Sequence, residues 1–309
     1  MGNFDVAPLR PDLSFGVRIR GVTRQLLESA AVRAQLAVIF EDKGLIVFED
    51  VEPTSHMQVA LSEVFGPLKE HPNRGVPRVD GAARPGVIDM YSGAGNEGVV
   101  EIDGRRMAQW LPWHFDHCYN DELNRGGVLR AIEIAPEGGM TGFADGVHLY
   151  QALSAQLRAR IENERILYKM DVVYATMRFG RPAGFVEVVS KPGARAVMED
   201  AKGTPRALHP AVWARKSGEK VLHVSPWMAQ GIEGMENAEG DALLEAVCQE
   251  INAKARAYHH QWRLSDMLIW DNWRMLHSVT GVTPGVSRRM QRTTIKGDYG
   301  LGCFESRAA

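Results

Sequence analysis

The chain has 309 residues, 45% of them hydrophobic and 24% charged, with a formal net charge of −2. That balance is ordinary for a globular protein, and without a long basic run it speaks against nucleic acid or an anionic membrane as a partner. Cys118, Cys248 and Cys303 are odd in number, far apart and lack C-x-x-C spacing, which speaks against a disulfide framework or thiolate zinc site and fits a reducing cytoplasm. No apolar stretch approaches a membrane span, and MGNFDVAPLRPD lacks the apolar core of a signal sequence.

Val32, Leu36, Ile39 and Phe40 fall on one stripe of a helix over residues 28–42, ended by Gly44. GLIVFED, residues 44–50, reads as a buried strand. A second helix follows, with Ser55 and Gln58 in capping-box spacing, Met57, Leu61, Val64 and Phe65 inward, and Gly66-Pro67 as its stop. Residues 69–112, rich in Gly, Pro, Arg and Asp, read mostly as loop around the short strand VIDMY. VLRAIEIA is a strand, and a helix from near Gly146 carries Leu149, Leu153 and Leu157. Residues 166–174 and 220–224 read as strands. A helix over 241–258 buries Leu244, Val247, Cys248, Ile251 and Tyr258. MLIWDN, the segment around His277 and RMQRTTIK supply the last strands. Many short strands with a few amphipathic helices make a mainly β chain, a barrel or jelly roll with flanking helices, with residues 1–309 as one domain.

The chemistry-bearing pattern is His114-Phe115-Asp116, inside QWLPWHFDHCYN, answered by His277 inside LIWDNWRMLHSVTG. Two imidazoles and one carboxylate hold Fe(II) on one face and leave the opposite face open. A His-x-Asp alone is weak in a chain with ten histidines; the downstream His277 in a strand-like run strengthens it. On an extended strand His114 and Asp116 share a face and His117 takes the other, as packing or support. His277 must then come from another strand of the same barrel.

These pieces carry a resemblance. GLIVFED, FGPLKEHP, WHFDHCY, GGMTGFAD, ALHPAVW, KVLHVSPWMAQGIEGM, LIWDNWRMLH and RRMQRTTIKGD occur in the order found in Fe(II)- and 2-oxoglutarate-dependent oxygenases, and the chain resembles the taurine dioxygenase and dichlorophenoxyacetate dioxygenase family. The resemblance implies a double-stranded β-helix, the jelly roll of cupin-like proteins, with iron ligands at His114, Asp116 and His277. It implies that Arg288, eleven residues after His277, and Thr141 anchor the distal carboxylate of 2-oxoglutarate, and that Arg292 meets an anionic group of a small-molecule substrate. The implied reaction converts 2-oxoglutarate and O2 to succinate and CO2 while hydroxylating an unactivated C–H bond. Phe115 replaces a small polar residue, and Trp110 replaces the substrate-contacting Asn of taurine dioxygenase, so the substrate differs from taurine.

Each residue also has a plainer reading. His71, His209 and His223 fit hydrogen-bonded structural histidines, although His71, in FGPLKEHP, falls in a segment that approaches the substrate in the family. Arg288 and Arg292 share strand parity and point inward, whereas Arg289 points out. Trp113, Trp270 and Trp273 fit the core, whereas Trp110 is assigned to the pocket, favouring a flat or bulky organic acid. A cupin-like metalloenzyme that does not use 2-oxoglutarate, and a silent sensor or binding protein of the same fold, are the alternatives. Arg288 with Thr141 argues against the first, and the intact triad against the second. A homo-oligomer is compatible with the composition.

Overall fold

Every residue of the strand Leu45–Glu49 is buried, and its two faces explain why. Leu45 and Val47 pack with Leu129, Phe143, Trp270 and Met275, while Ile46 and Phe48 pack with Leu36, Phe40, Met57 and Leu61 of two helices. A strand between two apolar layers reads as a continuous apolar run. Met267–Asp271 beside it does the same, with Leu268 and Trp270 on one side and Met267 and Ile269 on the other.

The computed structural model describes residues 4–70, 77–80 and 84–305. Among them an eight-stranded sheet runs Asp5–Pro8, Val17–Arg20, Leu45–Glu49, Met267–Asp271, Gly126–Glu133, Arg288–Thr293, Arg84–Ser92 and Arg78–Asp80. A six-stranded sheet runs Val186–Val189, Val99–Ile102, Arg105–His114, Met275–Val282, Thr141–Asp145 and Tyr258–His260. One apolar cluster draws Leu129, Leu268, Trp270 and Met290 from the first and Phe143, Tyr258 and Met275 from the second, so the sheets face each other across it. Strands distant in sequence lie side by side, as in a jelly roll, and the sheets are not closed into a barrel. The helices Ala30–Lys43 and Ser55–Phe65 cover the outside of the larger sheet. Ala238–Lys254 and a four-stranded sheet build a further core against Ala144 and Leu276 of the smaller one.

Several boundaries differ from the sequence reading. Much of residues 69–112 is strand, including Arg84–Ser92, Val99–Ile102 and Arg105–His114. Strands with a wet face carry charges, so composition alone reads them as loop. The signal present was Asp103-Gly104, both at positive φ (49° and 76°), the two-residue turn that joins Val99–Ile102 to Arg105–His114. The helix expected from Gly146 breaks at Leu153 and Ser154, both extended, into Gly146–Ala152 and Ala155–Ile161. Residues 166–174 are strand only through Tyr168, and residues 220–224 only through Leu222. Tyr258 lies on a strand beyond the helix that ends at Lys254. Thr54, not Ser55, caps the second helix, accepting the Met57 N–H.

His209 and His223 are structural, and both are wholly buried. His223 Nε2 donates to the Asn272 carbonyl at 2.9 Å, and its ring stacks on Phe115 at 3.9 Å. His209 Nε2 donates to the carbonyls of Cys118 (3.0 Å) and Asn120 (2.8 Å). Burial pushes His209 down to about 4 and His223 to about 3. The unfolded chain takes up these protons near pH 6.5, while the folded protein refuses them until pH 3–4, so stability is full above 6.5 and falls as pH drops through that window. In urea unfolding, these two histidines together should contribute roughly 4 kcal/mol of the stability lost between pH 7 and pH 5. His223→Gln, which keeps the donor without the titration, should remove about half of that loss. An equal loss in the variant would assign the effect to other groups.

Candidate active site

His114 ends the strand Arg105–His114, and His277 lies on the adjacent Met275–Val282, directly opposite it in register. Their ring centroids are 4.0 Å apart. Asp116 completes a buried group in which one ligand atom from each residue lies within 4.8 Å of the others. Sequence parity assigned Asp116 to the same strand as His114. The strand in fact stops at His114, and Asp116 sits in the turn that follows. It is aimed by Asn272, a fully buried residue just past the strand Met267–Asp271. Asn272 Oδ1 accepts the Asp116 N–H at 2.8 Å, and its Nδ2 donates to the Asp116 carbonyl at 3.0 Å and to Asn124 Oδ1 at 3.1 Å. Phe115 turns the other way, into the core beside His223 and Tyr168. His117 takes a left-handed conformation (φ 61°) rather than a strand position, and its carbonyl accepts the Asn120 N–H.

The electrostatics suit a divalent cation. His114 Nδ1 donates to the Pro112 carbonyl at 2.8 Å, which leaves the Nε2 lone pair available. Burial holds His114 below the ordinary histidine range, and burial together with His114 pushes His277 further below it, so both rings are neutral. Burial alone would raise Asp116, but Arg292 opposes it: Nη1 lies 2.7 and 2.6 Å from the two carboxylate oxygens and holds Asp116 ionised, well below the usual carboxylate range. Two neutral nitrogen donors and one carboxylate, buried together, fit a non-haem Fe(II) site.

Arg292 comes from the opposite sheet, on Arg288–Thr293. Arg289 on that strand is exposed and pairs with Asp89 at 2.7 Å, as strand parity requires. Arg288 has no hydrogen bond or ion pair among the described residues, and burial pushes its guanidinium down to about 10. The buried arginines have partners: Arg125 pairs with Glu41 and Asp271, Arg274 with Asp145, and Arg130 donates to Gln291 Oε1 and the Pro53 carbonyl. An unpaired cation in such a place is costly and suits a planar anion from outside the chain. Gly139 makes room for it; at φ +63° a Cβ there would sit 3.1 Å from Arg288 Cδ. Two residues on, Thr141 is 2% exposed, and its Oγ1 accepts the Trp262 indole N–H at 3.1 Å.

Trp110 packs against Tyr174 (5.7 Å between ring centroids) and Phe185 (5.5 Å), and its carbonyl accepts the Tyr174 hydroxyl at 2.7 Å. Tyr174 lies 5.9 Å from Trp227, whose ring meets His114 edge-on at 5.1 Å. Trp110 is thus the outer end of an aromatic row that reaches the ligand set. A register shift between His277 and Val279 means that counting back from His114 does not fix its direction. Tyr174, Phe185 and Trp227 were missed from sequence, because their segments carry no spacing signal beyond the aromatic residues themselves. His71 lies outside the described residues.

Comparison with known proteins places this arrangement. The chain matches the family described as taurine catabolism dioxygenase TauD, TfdA over residues 5–294, and it belongs to that family. It is 30% identical over 301 residues to an (S)-phenoxypropionate/alpha-ketoglutarate-dioxygenase of Sphingobium herbicidovorans, covering 96% of each chain. It is 25% identical to the alpha-ketoglutarate-dependent 2,4-dichlorophenoxyacetate dioxygenase of Cupriavidus pinatubonensis, covering 94% of this chain and 97% of the other. A taurine dioxygenase structure from Burkholderia xenovorans superposes with a TM-score of 0.69 at 21% identity, over 98% of this chain and 96% of that one. The protein is an Fe(II)- and 2-oxoglutarate-dependent dioxygenase, an oxidoreductase acting on small organic substrates. No described helix is long and apolar enough to cross a membrane.

Asn272 fixes the backbone of Asp116, one of the three residues that could hold a metal ion, so if they do, its loss should be felt as weaker metal binding. Asn272→Ala should lower Mn(II) affinity by roughly 10–100-fold, the usual effect of removing a ligand's support. Titration of the folded variant, followed by electron paramagnetic resonance, reads this directly. Unchanged affinity would show that the turn holds Asp116 without the amide.

Proposed function

We propose that His114, Asp116 and His277 hold Fe(II), that Arg288 and Thr141 hold the distal carboxylate of 2-oxoglutarate, and that residues 1–309 act as one catalytic unit. The observation that carries this reading is the half-buried Arg288 guanidinium, without a hydrogen bond or ion pair among the described residues, on the strand that also brings Arg292 to Asp116. When bound, the iron supplies O2 activation coupled to oxidation of 2-oxoglutarate to succinate and CO2, with hydroxylation of a C–H bond. The protein's own task is to fix that bond near the metal and keep water out.

For the substrate, Arg292 offers a cation whose Nε is buried and without a hydrogen-bond partner, and the row Trp110, Tyr174, Phe185 and Trp227 offers aromatic surface. Together they favour an organic acid with an aromatic or bulky body, hydroxylated near its anionic group. Offset stacking adds about 0.5–1.5 kcal/mol to area burial for a flat ring. The names of the relatives, phenoxypropionate and dichlorophenoxyacetate dioxygenases, support the same class. Soluble small molecules, with no nucleic-acid or membrane partner and a cytoplasmic setting, complete the reading.

Succinate release should be strongly stimulated by 2-phenoxypropionate and weakly by taurine. Arg288→Ala should raise the 2-oxoglutarate KM by roughly 30-fold or more, because it removes one partner of a buried charge pair. Arg292→Ala should instead impair use of the aryl acid and weaken metal binding, since Arg292 also holds Asp116. His277→Ala should abolish turnover in a folded protein. Trp110→Asn should lose aryl acids selectively. Efficient taurine turnover by the wild type, or equal effects of the two arginine changes on 2-oxoglutarate, would overturn these assignments.

A further inference from the structure

We infer that Trp262 is a positioning residue for the co-substrate: its indole N–H fixes the direction in which Thr141 gives its own hydroxyl proton. The inference rests on the reading of Thr141 and Arg288 as the holders of the 2-oxoglutarate distal carboxylate. It adds the group that sets the polarity of Thr141.

Trp262 is 6% exposed and Thr141 2%, with 3.1 Å between the indole Nε1 and Oγ1. An indole N–H can only donate, and a threonine hydroxyl has one proton and two lone pairs. Thr141 therefore accepts from Trp262 and must direct its proton elsewhere. No other hydrogen bond of the Thr141 hydroxyl occurs among the described residues. The strand Thr141–Asp145 begins two residues after Gly139, which lies against Arg288. A hydroxyl proton and an unpaired guanidinium are left without an acceptor, and one carboxylate satisfies both. Without the indole N–H, the hydroxyl is free to turn toward a protein oxygen and present a lone pair to the anion, replacing attraction with repulsion.

Trp262 is itself held in place. His260, opposite Thr141 in register, meets the indole edge-on at 4.6 Å and 88°. The His260 ring is flanked by the Tyr258 hydroxyl, 3.0 Å from Nδ1, and by the buried Asp266 carboxylate, 3.3 Å from Nε2. The indole packs with Phe143, Trp270 and Met290 in the cluster between the sheets. Core packing explains an aromatic ring here. It does not explain a nitrogen aimed at a hydroxyl.

The test is calorimetric binding of N-oxalylglycine, a non-reacting analogue of 2-oxoglutarate, to the Mn(II)-loaded full chain. Thr141→Val should weaken it roughly tenfold or more, the worth of a hydrogen bond to a charged group, and Trp262→Phe by about three- to tenfold. The double variant should bind no more weakly than Thr141→Val alone, with Mn(II) affinity unchanged throughout. Wild-type affinity in Trp262→Phe, or additive losses in the double variant, would overturn the role of Trp262 while leaving Thr141 in place. No effect of Thr141→Val would overturn the reading of Thr141 itself and this inference with it. Should Trp262→Phe fail to fold, the indole N–H resonances of the seven tryptophans in the Zn(II)-loaded protein supply the second measurement. One should shift in Thr141→Val, and an unchanged set would overturn the hydrogen bond.

Discussion

The site depends on one ion pair across two sheets. Asp116 projects from the turn after a strand of the smaller sheet, and Arg292 reaches it from a strand of the larger one. Both are nearly buried, so neither charge is tolerable without the other. The pair keeps Asp116 ionised beside two imidazoles that burial keeps neutral. Reverse either condition and the donor set fails: a protonated carboxylate loses the charge that attracts a cation, and a charged ring repels one and has no free lone pair. The same contact joins the faces of the sandwich beside the His114, Asp116 and His277 group, and so limits how far apart the two sheets can drift.

An ion pair fixes a carboxylate only if the backbone behind it is fixed. Asp116 lies outside the regular strand ladder, and polar groups of the surrounding core replace that ladder. Asn272 takes both backbone groups of Asp116, His223 takes the Asn272 carbonyl, and His209 takes the carbonyls of Cys118 and Asn120. Phe115, the unusual residue of the motif, is the apolar part of the same brace, stacked on His223. The substitution that departs from the family pattern therefore acts on the core side of the turn, away from the cleft. These buried hydrogen bonds stiffen the turn, although the Nδ1 atoms of His209 and His223 have no partner among the described residues.

The triad, the inward arginines and the double-faced strands were legible in sequence because each leaves a periodic or spaced trace. His277 and the strand Leu45–Glu49 are read from local pattern; the resemblance names Arg288 and Arg292, and alternation turns them inward and Arg289 outward. Asp116 shows where alternation ends. Its distance from His114 matched a strand, but its aim comes from Asn272, 156 positions away. The contact between Trp262 and Thr141, 121 positions apart, escaped for the same reason. The aromatic row had no register to count from, since it joins the end of one sheet to an irregular segment around Tyr174. Arg84–Ser92 and Arg105–His114 were obscured by their charged faces, although the Asp103-Gly104 turn marked the hairpin.

The cleft has an asymmetry that follows from this construction. One sheet supplies the neutral nitrogens and the carboxylate; the other supplies two guanidiniums, one neutralised by Asp116 and one left without a partner. Positive charge in excess at one wall attracts anions, and burial strengthens that attraction relative to water. A co-substrate with a carboxylate at each end can span from the proposed metal ligands to Arg288, which relieves the desolvation cost of the unpaired cation. Arg292 then stands between the metal side and the space beyond it, and the aromatic row leads outward from His114 to Trp110. On the proposed reading, the charged groups set where an acid is held, and the rings set what kind of body it carries. Discrimination between acids of similar charge falls to the rings, because one guanidinium binds many carboxylates and sulfonates but only a flat or bulky body covers four aromatic faces.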